Sequence, residues 1–402
     1  MKSYKKTLFF LFIFPFVVYG GSSIFGIGSG KLGMFQNQYS ATALGRGGTE
    51  MGFADSLGLN QVNFATWAFI SRSSISLNLN YDGLTTETIN HKVSSYDANF
   101  YGGYLAMPIL SNKLAMGIGI NPVALNNQKL EIPNVGIDAE ASEIIETKGN
   151  LSEAKFIIAY APHSQFAVAA VAMYNFGMIT DRIMIEYKQT GFGDINIENQ
   201  YQFTGTGFGM DLFYQPSEKI AAGMGIKFPF KYSMNTSQTS ISNSSTADNF
   251  KRVTIPMQLR GGIIYQVADR WITAMDLQFS NWESGYKIDA KTVTDMHNSF
   301  KLGAGAEYRP GKRRFIPYID KMTFRGGLFY GQMNVTSNGK PVDEYGMSIG
   351  LGLPFSGIYN RFDISFEIGK RGSIETNLTS ENFFRINFTL STSELWFERE
   401  ER

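Results

Sequence analysis

The 402-residue chain contains no cysteine. That excludes disulfides, thiolate nucleophiles and Cys-ligated metal sites. Histidine is nearly as scarce: His91, His163 and His297 are the only three. Charged residues make up 18% of the chain and the net charge is +1. There is no basic excess for nucleic acid to recognise. Beyond the first 19 residues, no run of about 18 apolar residues occurs, so no later segment reads as a membrane helix.

Glycine and aromatics are abundant, with 42 Gly, 33 Phe and 20 Tyr. Many aromatics with few charges suit a β-protein whose outer face meets lipid. The N-terminus carries an export pattern. Lys2, Lys5 and Lys6 form a basic start, and Thr7 to Tyr19 is an apolar run of signal-peptide length. The expectation is a signal peptide over 1–20, cleaved near Gly20. Next, Gly28-Ser29-Gly30-Lys31-Leu32-Gly33 matches G-x-G-x-x-G. No strand precedes it and no βαβ unit follows, so the dinucleotide reading fails and no cofactor is expected.

From Ser73 the pattern has period two. Ile75, Leu77, Leu79 and Tyr81 alternate with Ser74, Ser76, Asn78 and Asn80. Such alternation marks a strand with one apolar and one polar face. The grammar recurs: Val253, Ile255, Met257 and Leu259 alternate with Thr254, Gln258 and Arg260. So do Phe362, Ile364, Phe366 and Ile368 with Asp363, Ser365 and Glu367, and Phe384 to Leu390 with Arg385, Asn387 and Thr389. About fourteen such runs follow, each the length of a tilted bilayer-crossing strand. They lie near 72–82, 98–108, 113–123, 151–162, 165–177, 204–215, 218–229, 252–266, 270–280, 298–308, 322–332, 344–354, 361–370 and 381–390. Long connections (83–97, 124–150, 178–203, 230–251) alternate with short turns, as the outer loops and periplasmic turns of an outer-membrane barrel do. Only 309–321 is long where a short turn is due. A soluble sandwich would place polar residues outside; here the polar face carries the charge and the other face is continuously apolar. The fold class expected is all-β: a transmembrane antiparallel barrel of about fourteen strands.

The face opposite the lipid face should line the lumen. In the later strands it carries Arg260, Asp276, Lys301, Glu307, Arg325, Asp363, Glu367 and Arg385, and both signs suggest ion pairing. In the earlier strands it carries Ala115, Gly117 and Gly119, then Ala167, Ala169, Val171 and Met173. That wall reads either as a greasy path for a substrate or as a seat for a plug. The plug expected is the Gly-rich stretch around Gly45, Arg46, Gly47 and Gly48, with Arg46 reaching Asp363 or Glu367. The boundaries are 21–70 for the plug, 71–392 for the barrel and 393–402 for a charged tail. Two histidines fall in long outer segments and His163 in a short turn, so none is set against a serine inside the barrel. No enzyme activity, catalytic residue or metal site is expected.

The A-x-G-R-G-G-type segment at Ala43 to Gly48, an Asp a few residues on at Asp55, and Asn63-Phe64-Ala65 before about fourteen strands resemble the FadL family of outer-membrane transporters. The resemblance implies that Gly45, Arg46, Gly47, Gly48, Asp55, Asn63, Phe64 and Ala65 belong to a hatch inside the barrel. Phe64 stands where the family has proline, and the terminal aromatic is displaced, since a charged tail follows Trp396-Phe397. The implied function is admission of hydrophobic, fatty-acid-like compounds across the outer membrane by passive diffusion. Lipid and a hydrophobic small molecule are then the partners. PorV-type barrels, which attach secreted proteins, share this design and give the alternative: an interaction protein without transport.

Overall fold

The computed structural model describes residues 23–28, 32–36, 39–55, 58–89, 91–135, 141–187, 195–240, 249–294, 296–309, 317–355 and 359–395. The expected signal peptide and the end of the charged tail lie outside these residues. So do Ser29 to Lys31 of the glycine motif.

Fourteen antiparallel strands close into a barrel. They are β1 (Ser73–Thr88), β2 (Lys92–Leu110), β3 (Leu114–Val135), β4 (Ala141–His163), β5 (Phe166–Tyr187) and β6 (Ile195–Ser217). β7 is built from Ile220–Lys227 and Phe230–Ser240, and β8 from Asn249–Ile255 and Gln258–Ala268. β9 (Trp271–Ser280), β10 (Ser299–Tyr308), β11 (Thr323–Ser337), β12 (Lys340–Pro354), β13 (Asn360–Arg371) and β14 (Thr379–Glu394) complete the ring. Closure is by β14 on β1, from Glu394 opposite Ser73 to Thr379 opposite Thr88. Every strand of a closed ring finds a partner on both sides, which is what the bilayer demands of a backbone that water cannot reach.

The outer face is as the alternation predicts. Ile118, Ile158, Leu212, Met224, Ile263, Met275, Leu328, Ile349 and Phe366 are all exposed. They form a mid-height apolar band. Towards the short turns the band ends in exposed Tyr160, Tyr214, Tyr265 and Trp271. Towards the other rim it ends in exposed Tyr96, Tyr174, Phe208, Tyr330 and Tyr345. Two aromatic girdles around an apolar band mark a transmembrane barrel of the outer membrane.

Three expectations change. The outer segments 83–97, 124–150, 178–203 and 230–251 are mostly strand, because β1 to β8 run on past the girdle and pair with one another above it. Their polar residues fit a sheet wetted on its outer side, so weak hydrophobicity misled the reading. Second, Val253 and Ile255 do not share the lipid face with Leu259. They are buried with Tyr232, Trp282 and Tyr286. Pro256 interrupts β8, and Pro229 interrupts β7. A proline cannot donate to the ladder, so each strand breaks there and its upper half restarts with a changed facing. Third, 232–250, whose Ser, Thr and Asn content predicts an exposed stretch, is buried in part: Phe230–Ser240 pairs with Asn249–Ile255, and Tyr232 and Met234 face the interior. An epitope tag inserted at Ser244, between these strands and outside the described residues, should still be reached by antibody on intact cells. Labelling only after permeabilisation would invert the topology.

Candidate functional site

The barrel interior is filled at mid-height by residues 39–55 and 58–69. A four-residue helix, Ala41–Leu44, is capped by Ser40, whose hydroxyl accepts from the Ala43 N–H. Gly45 to Gly48 then turn the chain against the wall. Gly47 has φ +71, and a Cβ there would stand 2.5 Å from the Leu328 carbonyl oxygen. The wall answers with glycines of its own: a Cβ on Gly305 would lie 2.2 Å from the Arg46 carbonyl oxygen. Backbone therefore packs on backbone, which only glycine on both sides allows. Sequence reading singled out Gly45, Gly47 and Gly48 but not the glycines that face them on β10 to β12. The available signal was the pattern Gly303, Gly305, Gly326, Gly327, Gly350 and Gly352 on inward or bend positions of adjacent strands.

Charge fixes the plug. Arg46, 2% exposed, pairs with Glu307 rather than with Asp363 or Glu367 as expected. Those two carboxylates have other partners. Arg325 spans Glu307 and Asp363 at 2.8 Å each, Arg361 joins Asp363 to Asp55 at 2.7 Å each, and Arg385 holds Glu367. A chain of alternating signs thus runs from Arg46 to Asp55 through the wall. Such a network offsets the cost of burying ions only while it is complete. Two further wall carboxylates hold plug backbone. Asp276 accepts from the Glu50 and Met51 N–H groups at 2.6 and 2.8 Å, and Asp211 accepts from the Phe64 N–H at 3.1 Å. Burial pushes the Glu50 carboxyl up to about 7, against the pull of nearby Arg46.

Asn63 caps the turn that follows it. Its side chain accepts from Ala65 N–H at 3.1 Å and donates to Met51 and Leu212 carbonyls at 2.8 and 2.9 Å. The 3-10 turn Phe64–Phe69 follows. Phe64, Ala65 and Trp67 pack on Ala115, Ala159, Ala167 and Ala169. Gly117 makes room for the Trp67 ring, since a Cβ would approach it to 2.5 Å. Of the apolar wall, then, Ala115, Gly117, Ala167 and Ala169 form the plug seat. Val171 and Met173 lie higher and face a cavity.

That cavity, about 230 Å³, sits on the outer side of the plug. Phe64, Val171, Met173, Phe230, Tyr232 and Trp282 give it an apolar side. Lys155, Lys227, Arg260 and Lys301 also reach it. Lys227 pairs with Glu153, Lys155 lies 3.4 Å from the same carboxylate, and Arg260 lies 3.3 Å from Asp211. Lys301 stands over the rings of Phe329 and Tyr39, 4.7 and 5.6 Å from their centroids. Sequence reading placed Arg260 and Lys301 on the lumen face and did not single out Lys155 or Lys227; nothing in the spacing says that the four converge. His91 and His163 are exposed at the barrel rims, and among the described residues no acidic or histidine cluster could hold a metal.

The wall beside the cavity is split. β2 and β3 pair from Leu110 opposite Leu114 up to Gly103 opposite Ile120, and no further. Above that level β2 pairs with β1 and β3 with β4. Gly102, at φ +136, turns β2 away, and Pro122 withholds an N–H from β3. The plug's first strand, Met34–Phe35, covers part of this gap by pairing with Leu125 and Ala124 of β3. Gln36 N–H donates to the Val123 carbonyl at 2.9 Å, and Tyr101 of β2 donates its hydroxyl to Gln36 Oε1 at 3.3 Å.

The BamG family model matches residues 19–401, nearly the whole chain. The chain belongs to the BamG family. Among solved structures, this BamG-family chain is similar in fold to a Pseudomonas aeruginosa FadL homologue, at 13% identity and TM-score 0.59, covering 90% of this chain and 99% of that one. It is also similar to the Ralstonia pickettii toluene transporter TbuX (15% identity, TM-score 0.60, 88% and 98% covered). The CymD monoaromatic hydrocarbon channel matches at 16% identity and TM-score 0.60, with 90% and 98% covered. No curated protein matches in sequence. The fold is therefore FadL-type, as the N-terminal segment suggested, carried by a BamG-family chain.

Proposed function

We propose that this barrel admits hydrophobic compounds across the outer membrane by passive diffusion. The observation that carries the reading is the continuity of the cavity above the plug with the parted wall between β2 and β3. Asp97, Asn99 and Tyr101 of β2 and Val123 and Leu125 of β3 line the same cavity as Val171 and Met173. A compound entering from outside can rest on the apolar side and leave sideways, without crossing the sealed plug. The fold neighbours include proteins described as a toluene transporter and a monoaromatic hydrocarbon channel, which supports the class of cargo. Charges of both signs line the cavity, Lys155, Lys227, Arg260 and Lys301 with Glu153, Asp211 and Glu344 among them, which favours a cargo with a polar end, since wholly apolar cargo would strip water from these groups.

Met173→Asp is expected to abolish uptake of a labelled hydrophobic substrate while the barrel stays heat-modifiable. Met173 faces the cavity, and a carboxylate there puts charge where the apolar part must lie. Ala169→Asp is the weaker test, because Ala169 packs on the plug and its failure would confound transport with plug seating. A second reading, attachment of a secreted protein in the PorV manner, is favoured by the paired charges in the cavity. Unchanged uptake in Met173→Asp, with loss of surface attachment when the outer ends of β3 to β8 are trimmed, would decide for it.

A further inference from the structure

We infer that the seam between the upper parts of β2 and β3 is a docking site for an extended, amphipathic segment of a partner polypeptide, which adds to the β2 edge as a strand. A strand docked there would close the sideways exit proposed above, and the cross-linking below reads docking without reference to uptake.

The seam opens inside the apolar band. Ile120 and Phe100, which flank its lower end, are exposed on the lipid side, and Tyr96 of the upper girdle lies further up the same strand. In hydrocarbon an open sheet edge is not tolerated unless its N–H and C=O groups find partners. β3 meets this demand with Met34–Phe35 and Gln36, which pair at Leu125, Ala124 and Val123. On β2, residues 96–101 have no strand partner on the β3 side among the described residues; the Ala98 N–H there donates only to the neighbouring Asp97 Oδ1, at 3.0 Å, a side chain that an incoming strand can displace. An edge of this kind is a template for another strand. Met34–Phe35 shows that the seam takes extended backbone in antiparallel pairing, so the geometry for strand addition is already built.

The two faces of β2 define the partner. Outward, Tyr96, Ala98 and Phe100 face lipid; inward, Asp97, Asn99 and Tyr101 line the cavity. A strand beside them gains from apolar side chains outward and polar or cationic ones inward, near Asp97. The occupant is therefore a segment alternating apolar and polar residues, not a uniformly apolar one. A lipid chain can fill the space but cannot pair with the β2 backbone.

The test uses the full chain in nanodiscs. Because it has no cysteine, each introduced thiol is unique. The probe is a synthetic peptide, NFFRINFTL, the alternating stretch Asn382 to Leu390 of this chain, carrying one cysteine moved stepwise along it. Cross-linking to Ala98→Cys and Phe100→Cys is expected to be saturable and to vary with period two along the peptide. Met347→Cys should give none, since β12 is paired on both sides. The same peptide N-methylated at alternate residues should bind about tenfold more weakly or worse, having lost backbone donors. Cross-linking equal at all three positions, or indifference to N-methylation, overturns the proposal. So does labelling of Ala98→Cys by a thiol-reactive phospholipid that the peptide does not compete away. A spontaneous Ala98→Cys to Gln36→Cys disulfide that excludes the peptide would assign the seam to the chain's own N-terminal segment, and overturns it too.

Discussion

Removal of residues 24–60 is expected to convert the barrel into an ion-conducting pore. A ring of fourteen strands encloses more space than its own inward side chains fill. Here the plug supplies the rest. Arg46, Phe53 and Met51 are among its largest fully buried side chains, and its backbone rests directly on wall glycines. With residues 24–60 gone, Glu307 and Asp276 lose partners contributed by Arg46, Glu50 and Met51. Uncompensated charges of this kind draw in water. Planar-bilayer conductance should rise from background to discrete channel steps, while the boiled-versus-unboiled mobility shift persists because the strand ladder is untouched. A single substitution should give a partial version. Gly47→Val puts a β-branched residue at φ +71 and a Cβ against the Leu328 carbonyl. The backbone strain alone costs about 1–3 kcal/mol. Intermittent conductance is expected from it. Silence from both variants, with folding intact, would mean that something other than residues 24–60 seals the lumen.

The strand count, the lipid face and the charged interior were legible because each rests on a local rule. Period-two alternation gives Phe366 outside and Ser365 inside, and the structure has Phe366 42% exposed and Ser365 at 0%. What was not legible depends on pairs of distant residues. Arg46 was assigned a carboxylate on β13, yet it meets Glu307 on β10. Sequence shows which residues face inward but not the height and rotation of the plug that selects among them. The seam is a harder case. Tyr101-Gly102-Gly103 and Asn121-Pro122 carry its local causes, a left-handed glycine and a missing donor. Either alone is compatible with an ordinary strand, and only their lying at one level of facing strands ends the ladder. The upper half of β8 failed for the opposite reason. Its alternation was real, but Pro256 broke the phase, and a pattern read straight through a proline assigns the wrong face.

The same facing argument gives the last prediction, and the structure sharpens it. Phe366→Arg should be strongly destabilising. Phe366 lies at mid-height, opposite Ile349 of β12, itself 62% exposed to the apolar band. Placing arginine there costs about 2–4 kcal/mol at the bilayer midplane. The neighbour Ser365 is free of that penalty but is not a neutral site. Its hydroxyl accepts from Asn387 Nδ2 at 3.2 Å, and it pairs with Gly350, where a Cβ would stand 2.9 Å from the Gly45 Cα. An arginine at 365 therefore overfills the interior, a fault of about 1–3 kcal/mol, and drives the plug from its seat. The two variants should fail differently. Phe366→Arg lowers the urea midpoint for unfolding in lipid vesicles without conductance, whereas Ser365→Arg conducts. Gln332→Arg is the inward control that should be tolerated. Gln332 is half-buried at the cavity and donates to Asp343 at 3.2 Å, a carboxylate that arginine can keep as its partner. Equal loss of stability in Phe366→Arg and Gln332→Arg would contradict the assigned facing, because a slip of one residue exchanges the lipid and lumen faces of a strand.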